Sequence, residues 1–363
     1  MSTPNNFHGS DIETVAKIYG IEKTDIIRFA ANVNPLGVSD KVKKALIENI
    51  SCVNTYPERD QKELKEIIGA YAGCSPDHIY LGTGASELIG KIIGYVKPQN
   101  AVIVGPTYSE YKKNIEMFGG KATYYMTKEE NLFKLDIEEF VKSLDSSIDM
   151  VILCNPNNPT STAVDAADID LLLEACELLD IFVMVDETYM EFHPKADLFS
   201  SAPIVKAHKN LAVIRGTSKF FAAPGLRLGY MLSSNFDLFK ALDHAAAPWN
   251  LSSLAIVAGK VMFTDTDYIE ATKNLIHTEQ NLVYVAMKSR KSIKVFRPEA
   301  NFILVKLLKE NQTSKQVFDY CMERNFMIRD CSDYLGLGDK YIRFCFMRPT
   351  DDDKLVNRIL DIV

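Results

Sequence analysis

Five short apolar runs, each followed by polar residues that core packing does not explain, constrain this chain more than any other feature. The runs are His78–Leu81, Ala101–Val104, Met150–Cys154, Ile181–Val185 and Leu211–Arg215. Such runs suit strands buried on both faces, as in a mostly parallel sheet covered by helices. Amphipathic stretches separate them at Ser86–Val96, Ser109–Phe118, Ile137–Leu144 and Ala167–Leu179, the alternation of an α/β fold. Arg227–Leu232 adds a further strand. Ligands of open α/β sheets gather at the carboxyl ends of strands. The spacing therefore lines the polar clusters along one edge of one sheet.

Beyond Leu251 the texture changes. Long helical segments, Ser253–Phe263 and Tyr268–Lys288, precede a shorter set: Phe302–Lys306, Ser314–Arg324, Met327–Arg329 and Tyr341–Phe346. This divides the chain into a large domain over residues 45–245 and a smaller α/β domain over 246–363. Residues 1–44 are expected to pack with the smaller domain or over the cleft.

Composition excludes several classes. A net charge of −7 leaves no basic surplus for nucleic-acid phosphates, so an anionic ligand needs locally placed arginines. The seven cysteines are scattered and never form Cys-x-x-Cys, which reads as reduced thiols in a cytoplasmic protein. The six histidines lack paired ligand spacing, so no metal site is expected. The start of the chain is polar, unlike a signal peptide, and no apolar run is long enough for a membrane span.

Four clusters carry chemistry. Gly82-Thr-Gly-Ala-Ser-Glu87 opens a helix and offers free N–H groups to an anion, though a plain turn capped by Ser86 is also consistent. Asn155-Pro-Asn-Asn-Pro-Thr160 is a stiff loop of amide donors, or a surface turn. Asp186, leaving the very apolar run Ile181–Val185, needs a cation or several donors, unless it only caps a helix. Lys219, in Ser218-Lys219, forms an imine if desolvation lowers its proton affinity; alone it would read as a surface charge.

In this order, with Gly225-Leu-Arg-Leu-Gly229 after them, the motifs resemble the fold-type I pyridoxal-phosphate enzymes of the class I/II aminotransferase group, along essentially the whole chain. The resemblance implies pyridoxal 5′-phosphate as cofactor and the large and small domains of that fold. It implies that Lys219 holds the cofactor aldehyde and moves the substrate proton, and that Asp186 pairs with the ring nitrogen. Asn158 and Tyr189 would bond the ring oxygen, and Tyr108 would stack on the ring. Ala85, Ser86, Ser218 and Arg227 would hold the phosphate, with Tyr56 reaching it from a neighbouring subunit of a homodimer. Two positions depart from the pattern: Ser161 stands where the loop usually has glycine, and Gly216 where a hydroxyl residue is common. Both are expected to weaken phosphate contacts modestly.

Two branches of the group compete, histidinol-phosphate aminotransferases and the threonine-phosphate decarboxylases of cobalamin synthesis. The opening Phe7-His-Gly-Ser10, Arg28-Phe-Ala-Ala-Asn-Val-Asn-Pro-Leu-Gly37 and Pro248-Trp-Asn250 are similar to the decarboxylases, which implies that His8 and Asn32 line a substrate site. Arg329 and Arg343 sit in short apolar strands, where an unpaired guanidinium is costly and a bidentate anion clamp makes sense. The expected substrate is a small phosphorylated amino acid. Another aminotransferase, or a binding module without turnover, remains as an alternative; Lys219 and Asp186 both speak against the latter.

Overall fold

The computed structural model describes residues 11–363. Seven strands form one sheet: β1 (Ile79–Gly82), β2 (Asn100–Gly105), β3 (Lys121–Met126), β4 (Met150–Cys154), β5 (Phe182–Asp186), β6 (Leu211–Gly216) and β7 (Gly229–Leu232), in the order β1-β7-β6-β5-β4-β2-β3. β7 runs antiparallel to both its neighbours, while the other pairings are parallel. Six strands therefore point one way and deliver their carboxyl ends to a common edge.

Alternation along each strand sorts the core into two layers. Val151, Leu153, Val183, Val185, Leu211 and Val213 face the helix Ala166–Leu178 and the main core. Met150, Ile152, Cys154, Met184, Ala212 and Ile214 face the helices Ala85–Val96 and Glu110–Met117. The same parity puts Asp186 on the side of Cys154 and Met184.

A second sheet combines β8 (Ile293–Val295), β9 (Phe302–Leu307), β10 (Arg329–Asp330) and β11 (Tyr341–Cys345) in the order β10-β11-β9-β8, all antiparallel. The helices Thr266–Lys288 and Ser314–Met322 pack beside it, and Pro349–Ile362 packs on both of them. The strip 27–34 runs along this sheet: Ile27 bridges Phe326, Phe29 O accepts from Cys345 N–H (2.8 Å), and Asn34 Nδ2 donates to Phe220 O (2.8 Å). It thereby passes from the small sheet to the Lys219 loop.

The edge strand β3 is not foreseen by the apolar runs. Its sequence, Lys-Ala-Thr-Tyr-Tyr-Met, is half-buried and mixed, as suits a strand paired on one side only. Among the described residues no helix is long and apolar enough to cross a membrane, and no cluster could hold a metal ion.

Candidate active site

A cavity of about 500 Å³ opens where the strand ends meet the small sheet. Twelve of the fourteen residues singled out from sequence line it: Asn32, Ala85, Ser86, Tyr108, Asn158, Asp186, Tyr189, Ser218, Lys219, Arg227, Arg329 and Arg343. Tyr56 does not. It is 77% exposed and stacks on Trp249, with ring centroids 4.6 Å apart. His8 lies outside the described residues.

Asp186 ends β5 in a buried position held by neutral donors. The Thr188 N–H (3.0 Å) and hydroxyl (2.5 Å) donate to Oδ1, and the Tyr111 hydroxyl (2.7 Å) donates to Oδ2. Burial pushes its carboxyl up, and the bonds from Thr188 and Tyr111 only partly counter this. A carboxylate so placed favours a cation beside it. Sequence reading missed Thr188 and Tyr111; Tyr111, in the first turn of the helix Glu110–Met117, meets the Tyr108 ring edge-on at 5.7 Å.

Lys219 follows β6 and its Nζ donates to Ala31 O at 2.8 Å. Burial first, then the neighbouring Arg343 charge, lower its pKa to about 8. Near neutrality a useful share of this amine is therefore unprotonated and nucleophilic.

The anion end is built on glycine. Gly82, Gly229 and Gly216 stand side by side in register across β1, β7 and β6, beneath the first turn of the helix Ala85–Val96. A Cβ at Gly229 would lie 2.7 Å from Gly84 C, so only glycine lets the helix start approach the sheet. Arg227 packs its guanidinium against Gly84 and donates to Pro224 O at 3.0 Å. Helix N–H groups, Ser218 and Arg227 thus surround one place suited to a phosphate. At Gly216 an added Cβ would meet nothing closer than 3.5 Å, so the hydroxyl usual there is simply missing. Ser161 does not reach the cavity lining. Its hydroxyl accepts from the N–H groups of Glu299 (3.1 Å) and Ala300 (2.9 Å), tying the asparagine loop to the strand approach of β9.

The far wall carries the two small-sheet arginines. Arg329 and Arg343 are register partners across β10 and β11, and both are buried. Arg343 donates to Asn158 Oδ1, to Ala30 O (2.9 Å) and to the Tyr334 hydroxyl (3.3 Å). Tyr334 also donates to Asn158 Oδ1 at 3.2 Å, so the amide nitrogen of Asn158 is its group left for a ligand. Arg329 pairs with Asp333 at 2.6 Å beneath the Tyr334 ring. Asn32 Nδ2 donates to the Tyr189 hydroxyl at 3.3 Å. Among the described residues, Asn32 Oδ1 and Arg343 Nε are buried without partners. Asp333 and Tyr334 belong to Ile328-Arg-Asp-Cys-Ser-Asp-Tyr334, a segment similar to the decarboxylases, but their contacts with Arg329 and Asn158 are visible only once the chain is folded.

These groups fit the cofactor implied by the motifs. A phosphate cradle, a nucleophilic amine and a buried carboxylate that lacks a cation lie in one cavity, with an unpartnered carbonyl beside a tyrosine hydroxyl.

A family model described as aminotransferase class I and II matches residues 24–359. The chain is 28% identical over 363 residues to a threonine-phosphate decarboxylase of Salmonella typhimurium, covering 100% of this chain and 98% of that one. It is 29% identical over 359 residues to a histidinol-phosphate aminotransferase of Methanosphaera stadtmanae, covering 98% and 95%. Among solved structures, the histidinol-phosphate aminotransferase of Clostridium acetobutylicum superposes with a TM-score of 0.85 at 28% identity, over 92% of this chain and 98% of that one.

Proposed function

Since the chain belongs to the class I and II aminotransferase family and its cofactor is pyridoxal 5′-phosphate, we propose that it decarboxylates threonine O-phosphate to aminopropanol phosphate, for cobalamin synthesis. The observation that carries this reading is the pair Arg329 and Arg343, register partners whose Cα atoms stand about 5 Å apart, in the same cavity as Lys219. Two guanidiniums so close suit a short substrate with an anion at each end.

Arg343 takes the carboxylate in this reading, and Arg329 with His8 takes the phosphate ester. Lys219 carries the coenzyme through its amine. Asp186 keeps the ring nitrogen protonated, with Tyr111 and Thr188 holding that carboxylate in line. Asn158 and Tyr189 bond the ring oxygen, Tyr108 covers the ring, and Ala85, Ser86, Ser218 and Arg227 grip the coenzyme phosphate. The coenzyme supplies an electron sink for the pair left on Cα when a bond to it breaks. Arg343 would hold the carboxylate and, by orienting it, decide which bond to Cα breaks: the bond to the carboxylate, which leaves as CO₂, or the bond to hydrogen, which leaves as a proton. Lys219 then returns one proton to Cα, which completes the balance of CO₂ for H⁺.

Transamination of histidinol phosphate is the second reading, supported by relatives of that name at similar identity. The same proposal places the coenzyme in a domain of residues 45–245 and the substrate grip in 1–44 and 246–363, in a cytoplasmic homodimer where Tyr56 reaches the partner's phosphate cradle. The test is to incubate the holoenzyme with threonine O-phosphate and, separately, with histidinol phosphate plus 2-oxoglutarate. CO₂ release in the first without glutamate in the second supports decarboxylation, and the reverse pattern overturns it. Lys219→Ala should lower turnover by about 10³-fold or more in either case.

A further inference from the structure

Two acidic residues, Asp186 and Asp333, are among those lining the cavity. Asp186 lies at the sheet edge with a clear use. Asp333 lies at the opposite wall, on the turn 331–337, where an anionic substrate should find only positive charge. Its Oδ2 accepts from Arg329 Nη2 at 2.6 Å. The two partners differ in freedom: the Arg329 side chain is 8% exposed and the Asp333 side chain 36%. Arg329 is fixed by β10 and by the Tyr334 ring, whose centroid is 5.4 Å from its guanidinium carbon. Asp333 has a path into water. If the pair opens, the aspartate moves and the guanidinium stays.

Arg343 contrasts with this arrangement. Its oxygen partners, Asn158, Ala30 and Tyr334, are all neutral, and the nearby Lys219 amine feels its charge. One arginine on this wall is therefore uncompensated, and its register partner carries its own counter-ion.

We infer that Asp333 is an internal counter-ion which the anionic end of the substrate displaces from Arg329, and which thereby sets how strong an anion this end of the site accepts. The inference rests on the proposed use of Arg329 as an anion clamp. While the pair is closed, Arg329 is not competent to bind, so the apparent affinity of any external anion falls by the fraction of time the pair is open. A weakly held monoanion does not overcome that factor at ordinary concentrations. A phosphate ester, which binds guanidinium bidentately with up to two charges, does. Asp333 also keeps Arg329 aligned and its burial tolerable while no substrate is bound.

The experiment is calorimetric titration of inorganic phosphate into the holoenzyme, where the coenzyme already fills its own phosphate cradle. Asp333→Asn keeps the shape and removes the charge. It should bind phosphate roughly two- to fivefold more tightly than the unaltered protein, the range expected for a partly exposed ion pair. Asp333→Ala should tighten it too, and Arg329→Gln should weaken it roughly tenfold or more. If both Asp333 variants bind phosphate equally or less well while Arg329→Gln loses it, Asp333 merely positions the arginine and this inference is wrong. If Arg329→Gln leaves phosphate binding unchanged, the anion clamp itself is wrong and the inference falls with it.

Discussion

At the scale of single residues, the site works by setting the protonation of two groups against their surroundings. Lys219 is pushed down by burial and by Arg343, and Asp186 is pushed up by burial against the pull of Thr188 and Tyr111. A lysine lowered to about 8 is mostly neutral above that pH and mostly charged below it, and only the neutral amine attacks an aldehyde. Capture of pyridoxal 5′-phosphate by the apoenzyme, followed by absorbance, should accelerate with rising pH and level off above about 8. Arg343→Met removes a like charge, so its midpoint should move to higher pH. A profile flat through this range, or an unmoved midpoint in the variant, would show that Arg343 does not act on the amine. The motif residues of the large sheet were legible in the sequence because most sit one to five positions beyond an apolar run and Arg227 opens the next one. The roles of Tyr111 and Tyr334 were not, because they come from contacts across 75 and 176 residues, and those of Thr188 and Asp333 were not, because side-chain bonds to Asp186 and Arg329 depend on how each turn folds.

At the scale of elements, the phosphate cradle depends on backbone approach rather than on side chains. Gly82, Gly229 and Gly216 line up only because β7 inserts antiparallel between β1 and β6. The two glycines flanking Leu226-Arg-Leu are plain in the sequence, but nothing in it states that one of them must lie against Gly84. Gly229→Ala would put a methyl group 2.7 Å from a backbone carbon that cannot yield without moving the helix start. It should weaken coenzyme binding at least about tenfold, a cost of about 1.4 kcal/mol, measured by equilibrium dialysis. Gly216→Ala, where the space is open, should cost little. Equal losses in both would contradict the close-approach account. The strands of the large sheet were readable because burial on both faces makes them apolar throughout. β3 and β8 were not, since an edge strand with one partner carries a mixed sequence and leaves no such run.

At the scale of the whole molecule, an acidic protein builds a basic pocket by drawing on two sheets. Lys112, Lys219 and Arg227 come from the large-sheet side, and Arg329 and Arg343 from the small sheet, so the cavity is complete only while the two remain in register. Glu129, just beyond β3, is one brace across that division. It pairs with Lys294 (3.0 Å) and Lys306 (2.6 Å) and accepts from the Tyr341 hydroxyl (2.7 Å). Next to it Phe133 packs on Phe296 and Tyr341 in a small apolar cluster that also supports Tyr334. Burial opposes ionisation of Glu129, yet bonds from Lys306, Tyr341 and Lys294 hold its carboxyl down at about 2. A carboxyl depressed in this way contributes stability above its unfolded pKa, and that contribution is lost as pH falls towards about 2. The brace is therefore intact throughout the neutral range. Glu129→Gln should loosen the wall bearing Arg329 and Tyr334 while leaving the coenzyme cradle alone. The expected result is a KM for the amino-acid substrate raised roughly threefold, in the range of one partly exposed ion pair, with coenzyme affinity unaltered. A variant that lost coenzyme and substrate affinity together would mean that Glu129 supports the fold as a whole and does not hold the two sheets in register.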